Sequence, residues 1–136
     1  LVKLDTNGSR PDVLEKWIGE VDYVSMDVKA GLSAYPELVG FSRTDLLMES
    51  ALIIKDRARD YEFRTTVIEP FHTDEQIKGI AGIVDGARRY IIQPFVPREG
   101  LPDPAYESMP RTSPRRMKEL SEMLRGTAKE VRVRGD

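Results

Sequence analysis

Strand-like and helix-like segments take turns along this chain, and that alternation leaves few folds open. Residues 2–5 read as a strand that stops at the turn signal Asn7-Gly8. Pro11 suits a first helical turn, with Asp12 and Glu15 placed favourably for the helix dipole, and this helix is expected over 11–19. A second strand follows at 23–28, then a loop over 31–42 with a short turn at 35–39. Ser42 or Thr44 is expected to cap a helix over 45–59, whose Leu46, Leu47, Ala51, Ile54 and Ala58 recur at helical spacing. Residues 62–68 carry the β-branched run Thr65-Thr66-Val67-Ile68. Thr73 and Gln76 have the spacing of a capping box before a helix with Ile77, Ile80, Ala81 and Val84. A fourth strand is expected at 89–93, then a proline-rich loop at 94–112. Ser113 and Pro114 open a last helix, and 131–133 form a terminal strand.

Strands separated by helices of this length pair in parallel through right-handed crossovers. A closed barrel needs eight strands and about 250 residues. With 136 residues, this chain is an open sheet or part of a barrel. It reads as one segment over 1–136. It opens without methionine on the strand-like Leu1-Val2-Lys3-Leu4, read as a buried strand, so a fragment is expected.

Composition excludes several classes. A net charge of −2 gives no electrostatic case for nucleic acid or an anionic membrane. The apolar runs are too short to span a bilayer, and there is no secretory leader pattern, so a cytoplasmic protein is expected. With no cysteine, the chain itself can supply no disulfide, thiolate nucleophile or cysteine-ligated cluster.

In parallel α/β folds, ligands gather at the carboxyl ends of strands. Polar residues collect there: Asp5 and Thr6 on the first strand, Asp27 and Lys29 on the second, Arg64 and Thr66 within the third, Gln93 on the fourth. Alternate strand residues share a face, so Asp27 with Lys29, and Arg64 with Thr66, can point to one side. A strand of Val and Met carries such charges inward only when they are paired or used.

These residues carry a family resemblance. Leu4-Asp5-Thr6-Asn7-Gly8, then Asp22-Tyr23-Val24-Ser25-Met26-Asp27-Val28-Lys29, then Phe63-Arg64-Thr65-Thr66-Val67, resemble the matching strands of glycyl-radical enzyme activating proteins of the radical S-adenosylmethionine (SAM) superfamily. The resemblance implies the second half of a (β/α)6 partial TIM barrel, strands three to six, in an α/β fold. The [4Fe–4S] cluster would then be held by a three-cysteine loop in the full-length protein, upstream of this chain. Asp27 and Lys29 would contact the SAM ribose, and Arg64 the SAM carboxylate. Asp5, Thr6 and Gln93 would line the same cofactor site, with a monovalent cation shared by Asp5, Thr6 and Asp27. The implied reaction is one-electron cleavage of SAM to a 5′-deoxyadenosyl radical that takes hydrogen from a glycine of a partner. The cofactor does the difficult chemistry while the protein orients it. The implied partners are a glycyl-radical enzyme and a reductant such as flavodoxin or ferredoxin. Leu101-Pro102-Asp103-Pro104-Ala105-Tyr106 is closer to the anaerobic ribonucleotide reductase activator branch. Val96 stands where pyruvate formate-lyase activators carry a histidine, and Pro70-Phe71 replaces their Pro-Gly, which argues against that lyase as partner. This half alone is expected to be inactive.

Two other functions fit the same residues. One is a non-catalytic interaction domain presenting loop 94–112 and helix 114–125. The other is a sugar-phosphate aldolase with Lys29 as Schiff-base nucleophile, disfavoured by the lack of a phosphate-binding glycine loop. Elsewhere plain readings prevail. His72 is expected exposed or packed on the Thr73 cap, and Arg111, Arg115 and Arg116 on a solvated helix. Met109, Met117 and Met123 are expected in the core, and Trp17 against the sheet.

Overall fold

Parallel strands joined by helices can carry those helices on one face or on both, and strand order decides which. The computed structural model describes residues 1–100 and 104–135. Its elements are β1 (Lys3–Thr6), α1 (Pro11–Trp17), β2 (Tyr23–Asp27), α2 (Tyr35–Leu38), α3 (Thr44–Arg57), β3 (Tyr61–Val67), α4 (Asp74–Val84), β4 (Arg89–Pro94), α5 (Pro114–Met123) and β5 (Glu130–Val133). The sheet order is β1-β2-β3-β4-β5, every pair parallel. With no reversal of order, right-handed crossovers place every connecting helix on one side.

Register and burial agree with that geometry. One face carries Leu4, Val24, Met26, Tyr61, Phe63, Val67, Tyr90 and Ile92, and packs into a single core with Leu14 and Ile18, Leu47 and Ile54, Ile77 and Ile80, and Met117 and Leu120. The opposite face carries Lys3, Asp5, Tyr23, Ser25, Asp27, Glu62, Arg64, Thr66, Arg89, Gln93 and Arg132, together with the buried Ile91. Parallel sheets covered on both faces read as near-continuous apolar runs; these strands alternate because one face is polar.

Several sequence expectations need correction. The opening strand is not buried: Leu1 and Val2 are exposed and β1 alternates between exposed and half-buried residues, as an edge strand does. Neither Ser42 nor Thr44 caps α3; Thr44 is its first residue, and Arg43 precedes it, paired with Asp45. Thr73 does accept from the Gln76 amide, but the Gln76 side chain accepts from Gly31 N–H at 3.1 Å instead of closing a capping box. Trp17 lies 49% exposed, beside Lys16, at the flank of the α1 face that buries Leu14 and Ile18. Met117 is buried, whereas Met123 is 40% exposed because α5 turns only one side to the sheet. Ser113 caps α5 as expected, with Pro114 in its first turn. Of the 101–106 run, Leu101-Pro102-Asp103 lies outside the described residues.

The turn after β1 is fixed tightly. Gly8 has φ +79°, and a Cβ there would come 2.3 Å from Met26 Cε. Its carbonyl accepts from buried Ser50 at 2.8 Å. Gly8→Ala is expected to cost about 2–3 kcal/mol, combining left-handed strain with core overpacking. Urea unfolding reads this, and a loss below about 0.5 kcal/mol would contradict the tight fit.

Candidate functional site at the carboxyl ends of β2 and β3

Asp27 and Arg64 face each other in register across β2 and β3. Arg64 Nε donates to Asp27 Oδ1 at 2.9 Å. Burial works against the Arg64 charge, but the hydrogen bond and charge of Asp27, with Asp5 and Glu62 nearby, raise its pKa further. The two side chains are 21% and 42% exposed. A pair this open contributes about 0–1 kcal/mol to stability, so a ligand can take over either partner at little cost to the fold.

The pair opens on a cavity of ≈ 460 Å3 whose walls include Asp27, Lys29, Arg64, Thr66, Phe71 and Tyr106. Thus the structure brings Asp27, Lys29 and Arg64 together. Gln93 stands one step away, donating to Thr66 Oγ1 at 2.9 Å at the cavity rim. Asp5 and Thr6 sit elsewhere on β1. Asp5 shares the polar face and pairs with Lys3 at 3.8 Å, while Thr6 turns to the other face and accepts from Gly8 N–H at 3.0 Å. Among the described residues, no three His, Cys, Asp or Glu side chains are grouped to hold a metal.

The far wall is aromatic. Phe71 and Phe95 each meet Tyr106 edge-on, at 6.0 and 6.2 Å between ring centres. Sequence reasoning missed this wall, since Phe71 lies in a turn and Tyr106 in a short 3-10 helix, Pro104–Ser108, neither long enough to show periodicity. Lys29 also borders a second cavity of ≈ 300 Å3 lined by Asn7, Ser9, Tyr35, Phe41 and Leu47. His72, expected exposed or against the cap, is 5% exposed and hydrogen-bonded at both ring nitrogens. The arginine cluster does not act as a unit: Arg116 is tied to Asp74 at 2.8 Å, Arg111 donates to the Gly135 carbonyl, and Arg115 is 90% exposed beside Glu119.

Below this cavity, toward the amino ends of the strands, lies a second network that the sequence reading also missed. The Glu62 side chain is 3% exposed. Its carboxylate accepts from Tyr23 at 2.8 Å, from Ser25 at 3.3 Å, and from both terminal nitrogens of Arg134 at 3.3 Å. Burial opposes its charge, but these donors prevail and hold its carboxyl below the ordinary value. Arg89 extends the network by donating to the Tyr23 hydroxyl at 2.9 Å. The signal was present as period-two polarity: Tyr23, Ser25 and Asp27 on one strand, Glu62, Arg64 and Thr66 on the next.

No family profile matches the chain. In sequence it is similar to a candidate glycyl-radical enzyme activating enzyme of Methanocaldococcus jannaschii, 29% identical over 140 residues. That alignment takes in 98% of this chain and 58% of the relative, so the chain spans little more than half the relative's length. In structure it is similar to a solved domain of a pyruvate-formate lyase-activating enzyme from Bacteroides vulgatus, with a TM-score of 0.73 at 13% identity, covering 98% of this chain and 80% of that one. The fold likeness supports an α/β architecture of parallel strands alternating with helices. Among the described residues, no helix is long and apolar enough to cross a membrane.

Proposed function

We propose that this chain is the SAM-facing, C-terminal half of a radical SAM enzyme that activates a glycyl-radical enzyme. The observation that carries this reading is the meeting of Asp27, Lys29 and Arg64 in one cavity, at the carboxyl ends of strands whose other face is fully packed. The sequence similarity over 98% of the chain supports it.

The donor set fits SAM. Asp27 accepts from the ribose hydroxyls, Lys29 donates to a ribose oxygen, and Arg64 pairs with the methionyl carboxylate once it leaves Asp27. The aromatic wall of Phe71 and Tyr106 gives an apolar surface opposite those charges, which limits water at the bound nucleoside. Bound SAM supplies the radical chemistry; the chain's own residues bind and orient it. They do not fit an iron–sulfur cluster, because the chain has no cysteine. In this reading the cluster ligands belong to the rest of a longer protein, and the 136-residue chain alone is inactive. The Leu-Pro-Asp-Pro-Ala-Tyr run and Val96 favour an anaerobic ribonucleotide reductase as partner over pyruvate formate-lyase. A flavodoxin or ferredoxin would deliver the electron, and the cytoplasm is the fitting compartment.

The test is turnover of SAM by the full-length protein, prepared without oxygen with iron and sulfide and then reduced with dithionite. Methionine and 5′-deoxyadenosine are expected in equal amounts from the full-length protein, and none from the 136-residue chain. A full-length protein that holds no cluster and cleaves no SAM would overturn the proposal.

A further inference from the structure

We propose that His72 is a positioning residue that presets Lys29 for its ligand, an inference that rests on the SAM reading of the cavity. β2 ends at Asp27; past it the Val28 N–H donates to the Arg64 carbonyl at 2.8 Å and the Val28 carbonyl accepts from the Thr65 hydroxyl at 2.6 Å, the last bonds across to β3. Lys29 therefore lies beyond the ladder, where backbone is ordinarily left to water. Here both of its peptide groups are gripped by buried side chains. Its N–H donates to the Tyr35 hydroxyl at 2.8 Å, and its carbonyl lies 2.7 Å from His72 Nε2. Tyr35 and His72 are 3% and 5% exposed.

The other face of the imidazole fixes its tautomer. The Ile68 N–H lies 2.9 Å from His72 Nδ1, closer than the Ile68 carbonyl at 3.3 Å, while Nε2 faces only the Lys29 carbonyl, an acceptor; Nδ1 is therefore assigned as the acceptor and Nε2 as the donor to Lys29. His72 is itself anchored. Its N–H donates to the Ile68 carbonyl at 2.9 Å, and its carbonyl accepts from Arg116 at 3.1 Å. The next residues are held by the same segment: Gly31 bonds Gln76 and packs tightly against Gly79, where a Cβ on either glycine would come 3.0–3.2 Å from the other's Cα. The clamp thus runs from α5 through His72 to Lys29, which borders both cavities. Two fixed peptide groups restrict where that side chain can start. That is how a rigid frame aims a flexible ammonium at one oxygen.

Two conservative variants separate positioning from mere packing. His72→Gln keeps an amide donor where Nε2 stands; His72→Asn places its amide where Nδ1 stands and reaches no donor to the Lys29 carbonyl. In the full-length protein, the Gln variant is expected to bind SAM within about threefold of wild type and the Asn variant about tenfold more weakly, although both lose comparable stability. Two readouts need no ligand. Long-range 1H–15N spectra are expected to show neutral His72 protonated on Nε2. After reductive 13C-methylation, the Lys29 signal, assigned with Lys29→Arg, should move in His72→Asn and hold in His72→Gln. Protonation on Nδ1, or a Lys29 signal that ignores both variants, overturns the inference. So does SAM affinity that falls equally in both. Should wild type bind no SAM, the cofactor reading falls, while a Lys29 signal that moves only in the Asn variant still upholds the clamp.

Discussion

Asp27→Ala in the full-length protein is expected to weaken SAM binding by about 100-fold or more. The ribose hydroxyls lose a charged acceptor, and hydrogen bonds to charged groups contribute about 1.5–3 kcal/mol each. Arg64 loses the side chain that now holds its Nε at 2.9 Å, so its guanidinium is less well placed for the methionyl carboxylate. The fold should barely notice, because a pair with Asp27 42% exposed contributes at most about 1 kcal/mol. Calorimetric titration with SAM and a thermal melt separate the two effects. A dissociation constant within threefold of wild type would remove Asp27 from the site.

The second large effect concerns stability. Glu62→Ala is expected to destabilise the protein by about 2–4 kcal/mol, because it leaves a gap where the buried carboxylate stood, takes the acceptor from the Tyr23 and buried Ser25 hydroxyls, and removes the ion-pair partner of half-exposed Arg134. The melting temperature should fall by roughly 10 °C. The pH dependence has a definite sign. The Glu62 carboxyl is held below its ordinary value, so its contribution is complete above the unfolded value of about 4.3 and is lost as pH falls through the lower folded value. Glu62→Gln should therefore lose less stability on acidification below about pH 4 than wild type does. Parallel acid limbs in the two proteins would mean that Glu62 is not held ionised by these donors.

How far the sequence reached depended on how local each signal was. The alternation of elements follows from capping, turn and periodicity signals within a few residues, and Ser113 with Pro114 behaves as those signals say. Asp27 and Arg64 were legible because strand alternation assigns their face and parallel pairing brings their strands side by side. Trp17 and Met123 were misjudged for a different reason. Helical spacing shows which residues share a face, but only the neighbouring helices decide whether that face is covered. Glu62 escaped notice since its partners come from β2 and from Arg134 just past β5, far apart in sequence. His72 looked like a surface residue after Pro70 and Phe71; its burial depends on the β2 terminus folding over it.

The polar face of the sheet and the cavity above it form one continuous feature, with Glu62 one strand position pair below Arg64. Fully buried Ile91 sits beside Arg64 on the same face, and the charges at the base of this feature are paired with one another. Their cost is borne by internal pairing, leaving Lys29 and the Asp27–Arg64 pair at the rim for a ligand.

A crystal structure of the full-length protein with SAM bound tests the central claim most directly. The account predicts ribose oxygens within hydrogen-bonding distance of Asp27 and Lys29, the methionyl carboxylate on Arg64, and the Asp27–Arg64 bond opened. SAM bound away from the ends of β2 and β3, with that bond intact, would contradict it.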